Sequence, residues 1–386
     1  MKRIGMGLVG AGFVGPHHVD AVRRLGFVDV VALAEATLEI ATERARALGV
    51  PKAYGDYRAL IDDPDVDVVH NATPNALHYP INAATIDKGK HIVSDKPLAV
   101  SAKEARILRD AAAKAGVVNA VTFSYRGNPL VQHARHKVSS GEIGEPRFFH
   151  GHYLQDWLSN DVDYSWRLDE TQTGISSAVA DIGSHWCDLA EHVSGQRISH
   201  VLGHIGTALP KRRVPRVTRQ AFDAGSDADA FDWTDIALED MASVLLRFAN
   251  GAIGSFTVAQ VTPGHKNDCM LEISGSLSSV RWAQEDQNYL WIGHRERPNE
   301  VLMKDPRLIA PDVRRYARLP GGLQEGWADA FSNIMSDIYS YIGSDQPLTD
   351  AHPPAFATFD DGYRACIIVE TIIESARSGA WARVPQ

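Results

Sequence analysis

The chain has 386 residues, 44% of them hydrophobic and 23% charged, with 31 Gly and 19 Pro, the composition of a folded protein with more than one core rather than of a disordered or fibrous chain. Its formal net charge of −9 argues against general affinity for nucleic acid or anionic membranes, either of which needs a cationic surface. Three dispersed cysteines, Cys187, Cys269 and Cys366, exclude a disulfide framework and a CxxC metal knuckle and fit a reducing cytoplasm.

The first residues, "IGMGLVGAGFVG" (4–15), predict a buried strand carrying Ile4, Met6, Leu8 and Val9 that runs into a glycine turn. Gly10, Gly12 and Gly15 have the GxGxxG spacing, with Phe13 and Val14 between the last two. In a dinucleotide-binding loop the first glycine permits the tight turn, the second lets a pyrophosphate approach the backbone, and the third lets the helix pack on the strand. Pro16 suits the first turn of that helix, which is expected over 13–25 and to end at Gly26. No small-residue cleavage pattern follows the apolar start, and no run approaches the roughly 18 apolar residues of a membrane span.

"VDVVALAEA" (28–36) predicts a second buried strand that closes a βαβ unit. Glu35 stands 20 residues after Gly15, the offset at which a carboxylate accepts hydrogen bonds from the adenosine ribose. The same charge repels a 2′-phosphate, and Ala36, Thr37 and Leu38 offer no cation to hold one, so NAD is expected over NADP. Strand and helix then alternate: "ERARALGV" is helical, "VDVVHNA" a strand, "NALHYPINAATIDKG" a helix with an internal Pro80, "KHIVSDKP" a strand and turn. "AKEARILRDAAAKAG" is a helix and "VVNAVTFSY" a strand. This alternation predicts a doubly wound parallel sheet of the Rossmann type. Ligands gather at the carboxyl ends of such strands, here Gly10–Gly15, Thr73–Asn75 and Asp95–Pro97.

Further along, "HARH" (133–136) suits an exposed helix face and "HGH" (150–152) a strand. "KRR" (211–213) reads as a solvated loop. His17 and His18 stand beside the glycine turn, suited equally to cofactor contact and to helix packing. "ASVLLRFANGAIGSFTVAQ" has two β-rich arms around Asn250-Gly251, a hairpin signal, and "CMLEISGSLSSVRWAQ" and "NYLWIGH" add strands.

Six motifs together resemble the Gfo/Idh/MocA family of NAD(P)-dependent oxidoreductases: "GAGFVG" (10–15), "ATPNALH" (72–78), "SDKPLA" (94–99), "YRGNP" (125–129), "WR" (166–167) and "DIGSHWCD" (181–188). Within it the chain reads most like members that oxidise pyranose-like sugars and inositols. The resemblance implies a Rossmann domain over 1–124 and an α+β substrate and oligomerisation domain over 125–386, built on an open, mostly antiparallel sheet. It implies cofactor contacts from Gly10, Gly12, Phe13, Val14, Gly15, Glu35, Thr73, Pro74, Asn75, His78, Asp95, Lys96, Arg126, Trp166 and Arg167. Two departures stand out: Asp95 replaces the Glu usual before the motif lysine, and "TGISSAVAD" (173–181) replaces a glycine-rich run.

On the family's pattern Lys96, Asp181 and His185 form the catalytic group, and the chemistry agrees. Oxidising a secondary alcohol removes a proton from its hydroxyl while the carbon loses hydride; an imidazole takes that proton near neutral pH. Lys96 stabilises the developing alkoxide. Asp181, four residues before His185, shares its helix face and orients the ring or the hydroxyl. Two other readings of this stretch are a metal set of Asp181, His185 and Asp188, without an HExxH or cysteine cluster beside it, and a structural histidine. Tyr125, Tyr153, Gln155, Asp156 and Trp157, with Arg126, Trp166 and Arg167, suit a sugar pocket, aromatics covering C–H faces and polar groups reading hydroxyls. The two arginines also suit an acidic or phosphorylated sugar.

The expected function is an NAD-dependent dehydrogenase acting on a secondary hydroxyl of a sugar, anhydrosugar or inositol, with no metal, no nucleic acid and no membrane partner. Alternatives are an oxidoreductase that retains and internally recycles its NAD, and a non-catalytic NAD-binding regulator. An exposed sheet face in the second domain predicts a homo-oligomer.

Overall fold

The computed structural model describes residues 3–216, 231–344, 346–349 and 351–386. The chain divides into two compact units: Met1–Ser124 with Phe331–Cys366, and Tyr125–Ala330 with Ile367–Gln386. Phe331–Cys366 therefore packs with the first unit, where the sequence had assigned everything after 124 to a second domain. The reason is apolar burial: Ala357, Phe359, Ala365 and Cys366 join the core cluster formed by Ile92, Leu98, Leu108, Val121 and Phe123.

The first unit is a six-stranded parallel sheet, made from β1 (Ile4–Val9), β2 (Val28–Ala34), β3 (Lys52–Tyr54), β4 (Val68–Asn71), β5 (His91–Ser94) and β6 (Asn119–Val121). The strands β1 and β4 are buried almost throughout, as strands covered on both faces must be. Between them run α1 (Gly15–Arg23), α2 (Leu38–Leu48), α3 (Tyr57–Asp62), α4 (His78–Asp87) and α5 (Ala102–Ala115). Helix α5 shows why: Ala105, Leu108 and Ala112 form its buried stripe, and Ser101 caps it by accepting the Glu104 N–H. The strand order β3-β2-β1-β4-β5-β6 reverses direction between β1 and β4, the switch point at which such sheets bind ligands. Within residues 1–124 the sequence missed β3 and α3, too short to show a period, and drew α1 two residues too long at each end.

The second unit continues with α6 (Pro129–Ser139), β7 (Pro146–Leu154), α7 (Glu170–Thr173), a π-helical turn at Val179–Gly183 and α8 (Ser184–Ser194). The strands β8 (Ile198–Gly206), β9 (Lys211–Pro215), β10 (Phe231–Asp235), β11 (Met241–Phe248), β12 (Ile253–Ala259), β13 (Asp268–Gly275), β14 (Ser279–Ala283), β15 (Tyr289–Gly293) and β16 (Glu300–Met303) follow. The last elements are α9 (Trp327–Gly343), α10 (Phe359–Ser378) and the short β17 (Ala382–Arg383). Nine strands form one sheet in the order β16-β15-β14-β13-β7-β12-β11-β8-β17, all pairs antiparallel except β7 with β12. Burial alternates strictly along β11, as in a sheet with one covered and one open face; α6 packs on β14 and β15, and α8 on β7 and β13. That open face exposes Phe148, Leu245, Ile253, Val301 and Met303.

Two surface expectations fail here. "KRR" is strand β9, and Arg212 is fully buried, donating from Nη1 to the Asn160 and Asp163 carbonyls at 2.8 and 3.0 Å. In "HARH", His133 is buried and its Nδ1 accepts the Ala310 N–H, while Arg135 is exposed and His136 half-buried beside Asp312. Charge and polarity in the sequence could not reveal that backbone partners awaited both residues inside.

His18 belongs to helix packing. It and His70 are fully buried, Nδ1 to Nδ1 at 2.8 Å, and the Tyr339 hydroxyl meets His70 Nε2 at 2.8 Å. Burial pushes the His18 pKa down to about 4, against a smaller opposing pull from Asp95, and holds His70 well below the usual histidine range. Both rings are neutral at pH 7, so one Nδ1 donates and the other accepts. A depressed folded-state pKa means that the unfolded chain binds the proton first as pH falls. Stability is therefore full above about 6.5 and is lost toward about 4, by roughly 3 kcal/mol for His18 alone. Urea unfolding at pH 7 and at pH 4.5 measures this; the acid loss should shrink in His18→Gln, and an unchanged loss would remove His18 as its source.

Candidate active site

At the switch point the glycine turn meets the loop after β4. Gly10 has φ +87°, and a Cβ on it would lie 2.8 Å from the Ala72 carbonyl oxygen. A Cβ on Gly15 would lie 2.4 Å from the Gly10 oxygen, so neither position tolerates a side chain. Around Gly12 a Cβ would meet nothing within 4 Å. That open approach to the backbone, at the N-terminus of α1, fits a pyrophosphate. Val14 precedes the helix and Phe13, about half exposed, stands edge-on to His17. Glu35 reaches back so that its Oε1 accepts the Ala11 N–H at 2.6 Å. This places a carboxylate beside the turn, and Oε2 has no hydrogen-bond partner among the described residues.

The loops after β4 and β5 are tied together. Thr73 Oγ1 donates to Asn71 Oδ1 at 2.7 Å, Asp95 N donates to the Asn71 carbonyl at 2.8 Å, and Asn75 is buried between Pro74 and α4. His78, expected at the cofactor, is instead fully buried, with Nδ1 2.6 Å from the Pro97 oxygen and Nε2 2.9 Å from the Thr73 oxygen. The ring sits between the two loops and, neutral because burial lowers its pKa, donates its one N–H to one of these carbonyls. The Lys96-Pro97 peptide is cis. Asp95 Oδ1 accepts the Lys96 N–H at 2.9 Å and the Thr122 hydroxyl at 2.5 Å. Burial pushes this carboxyl upward, but Lys96, His18 and the Thr122 bond outweigh it and hold it below the usual range. The shorter acid is thus anchored as a carboxylate beside Lys96.

In the second unit "DIGSHWCD" straddles two helix types. Asp181 lies in the π turn and His185 in the first turn of α8; an inserted π turn widens the helix and re-aims its side chains, a feature common at functional sites. The Asp181 carboxylate is clamped from two distant points: Arg167 Nε donates to Oδ1 at 3.2 Å and Gln260 Nε2 to Oδ2 at 2.9 Å. The "TGISSAVAD" run is pinned by the buried Glu239, whose Oε1 accepts the Ser176 hydroxyl and the Ser177 and Val179 N–H groups. The Arg167 guanidinium stacks 4.5 Å from the Trp166 ring centre and 5.9 Å from that of Trp157.

His185 is buried against Tyr125 and Tyr153, ring centres at 5.2 and 6.2 Å. The two phenols share a hydrogen bond of 2.5 Å, and Asn267 bonds both as well as the Gln155 amide. Burial raises both phenol pKa values well above the usual range, so they act as neutral groups. Gln155 also accepts from Trp157 Nε1 at 2.8 Å, and Asp156 pairs with Lys266 at 2.5 Å. Arg126, expected at the cofactor, is held by Asp188: its Nε and Nη2 donate through two bonds of 2.9 and 2.5 Å, both side chains buried. That pair also removes Asp188 from the imagined metal set, and among the described residues no group of three or more His, Cys, Asp or Glu side chains is placed to hold a metal ion. The sequence did not single out Asn267, Gln260 or Glu239; each lies at least 58 positions from its partner in the π-turn segment or the tyrosine pair, so only the sheet register reveals them.

Comparison with known proteins agrees with this layout. The family model "Oxidoreductase family, NAD-binding Rossmann fold" matches residues 4–123, and "GFO/IDH/MocA C-terminal domain" matches 131–281. Levoglucosan dehydrogenase of Pseudarthrobacter phenanthrenivorans is 31% identical over 400 aligned residues, covering 100% of this chain and 99% of that protein. This chain belongs to the Gfo/Idh/MocA family. A solved levoglucosan dehydrogenase in complex with NADH and L-sorbose matches with TM-score 0.89 at 29% identity, covering 100% of both chains. An inositol dehydrogenase homolog complexed with NAD+ from Azotobacter vinelandii gives 0.85 at 27% identity, over 99% and 97% of the two chains. As a Gfo/Idh/MocA oxidoreductase the chain carries an NAD-binding Rossmann domain, as its six motifs had implied.

The role of Glu35 in holding NAD has a direct test. Glu35→Ala should weaken NAD binding by about ten- to a hundredfold, the cost of hydrogen bonds to a charged acceptor, and narrow the preference over NADP. Fluorescence titration with both cofactors measures it; unchanged constants would show that Glu35 serves only the Ala11 N–H.

Proposed function

We propose that this protein is an NAD-dependent dehydrogenase that oxidises one secondary hydroxyl of a neutral anhydrosugar or pyranose-like sugar, with Lys96, Asp181 and His185 as its catalytic group. The observation that carries the reading is the donor-clamped Asp181 carboxylate four residues before a His185 packed by two neutral tyrosines, in a chain similar along its whole length to levoglucosan dehydrogenase. Bound nicotinamide supplies the hydride acceptor. The turn from Gly10 to Gly15, Glu35, the Thr73–Asn75 loop and Asp95 hold that cofactor, and Trp166 and Arg167 line its approach.

His185 takes the hydroxyl proton. Tyr125 and Tyr153 beside it stay neutral near pH 7 and do not compete for that proton. Lys96 stabilises the alkoxide as it forms. Asp181, both of whose oxygens accept hydrogen bonds from fixed donors, orients the imidazole and the hydroxyl and supplies a charge that favours the imidazolium. The aromatic faces of Tyr125, Tyr153 and Trp157 match the C–H face of a sugar ring. A second copy of the chain covers the apolar sheet face around Phe148, Leu245, Ile253 and Val301. The three free, buried cysteines suit a reducing cytoplasm.

The test incubates the protein with NAD and a panel of anhydrosugars, pyranoses and inositols and follows the absorbance of reduced cofactor. Turnover is expected with at least one anhydrosugar or pyranose. Lys96→Ala and His185→Ala should each lower kcat by about 10²–10⁴, with NAD binding by His185→Ala unchanged. No turnover across the panel, or full rates in both variants, would overturn the reading.

A further inference from the structure

Gln260 follows strand β12 directly and is fully buried. Its backbone is held on both sides, the N–H donating to the Asp240 carbonyl at 2.9 Å and the carbonyl accepting the Leu158 N–H at 3.0 Å. The direction of its side chain is therefore set by the sheet. One end of the amide meets Asp181 Oδ2 at 2.9 Å. A carboxylate oxygen only accepts, so that end is the NH₂ group and the amide orientation is fixed by chemistry.

The other end, Oε1, is buried and has no hydrogen-bond partner among the described residues. Such atoms are rare in folded proteins and call for a reason. This chain satisfies its buried amides elsewhere. Gln155 uses both ends, on Trp157 and Asn267, and Asn82 uses both, on Asn71 and Ser94. The Arg167 side chain repeats the pattern of Gln260 with opposite polarity: Nε holds Asp181 Oδ1 at 3.2 Å while Nη1 is buried and unpartnered. The carboxylate is thus flanked by one unused acceptor and one unused donor.

We propose that Gln260 determines substrate specificity: its Nε2 holds Asp181 while its Oε1 accepts a hydrogen bond from a second hydroxyl of the substrate, next to the one that Asp181 faces. The proposal rests on the dehydrogenase reading above. A hydroxyl both donates and accepts, so a diol fits an acceptor and a donor set on either side of a carboxylate. A phosphate or carboxylate group presents only acceptors to Oε1 and is rejected there, which narrows the class to neutral sugars with adjacent hydroxyls. Because the nitrogen and oxygen share one amide carbon, the second hydroxyl belongs to a neighbouring ring carbon rather than to the far side of the ring.

The experiment measures kcat and KM of the full-length protein with saturating NAD for the best sugar found and for its two monodeoxy analogues, each lacking one hydroxyl beside the oxidised carbon. Wild type should reject one analogue by at least about a hundredfold in kcat/KM, as sites built to bond a hydroxyl do, and accept the other within about tenfold. Gln260→Met should lower kcat/KM for the parent sugar to near that of the rejected analogue and abolish the discrimination, with the NAD dissociation constant unchanged. Gln260→Asn, which keeps a shorter amide, should restore part of it. If Gln260→Met slows parent and analogue equally, the residue only positions Asp181 and the proposal falls. The wild-type arm needs no variant: equal use of both analogues overturns the proposal alone, whereas no turnover of any parent sugar overturns the dehydrogenase reading and this proposal with it.

Discussion

A carboxylate largely withdrawn from water must find donors, and in this chain that requirement organises the second unit. Asp181 keeps 14% of its side chain exposed and is met by Arg167 and Gln260, one on each oxygen. Hydrogen bonds to a charged group contribute about 1.5–3 kcal/mol each, comparable to the roughly 2 kcal/mol of rotamer entropy lost in fixing an Arg or Gln side chain. The clamp therefore holds because the neighbouring structure has already fixed its members. Trp166 and Trp157 stack on Arg167, the β12 backbone holds Gln260, and Glu239 pins the start of the π turn.

Helix α8 is locked by the same logic. Trp186 stacks on Phe256 with ring centres at 4.5 Å and donates from Nε1 to the Met270 carbonyl at 2.9 Å. It reaches that carbonyl over Gly151, where a Cβ would lie 2.5 Å from the indole nitrogen and 2.0 Å from the Met270 oxygen. The glycine of "HGH" is thus the space that lets α8 sit on the sheet, and α8 in turn presents His185 to Tyr125 and Tyr153. In the first unit the equivalent rigidity comes from neutral side chains. His78 lies between the Thr73 and Pro97 carbonyls and donates its one N–H to one of them, and Asn71 and Asn82 link β4 to Ser94. The glycine turn, Glu35 and Asp95 are held before any ligand arrives, which lowers the ordering cost of binding.

Much of this was readable from the residues. The parallel sheet announced itself through alternating apolar runs and the glycine turn, and Glu35 through its offset. The hairpin at Asn250-Gly251 and the antiparallel sheet came from β-rich alternation. What escaped the sequence shares one cause, long-range pairing. Arg126 reads in the sequence as a cofactor contact, and nothing local shows that Asp188, 62 positions away, accepts from its Nε and Nη2. Arg212 looked like surface charge until two carbonyls more than 48 positions back claimed it. His78 sat in a cofactor motif yet faced inward, and Phe331–Cys366 rejoined the first unit through apolar contacts that no local period encodes. The π turn was hidden too, since four-residue spacing looks the same in either helix type.

On the proposed function, the charge held at Asp181 serves the alcohol chemistry of His185 rather than the fold alone. The most direct measurement is kcat of Asp181→Asn with the best sugar substrate, beside its NAD dissociation constant and its unfolding curve. Asparagine fills the same space but brings no charge and turns its NH₂ toward one of the two donors. A fall in kcat of at least about a hundredfold is expected, with NAD binding and folding intact. A variant that binds NAD, folds and turns over at the wild-type rate would contradict it.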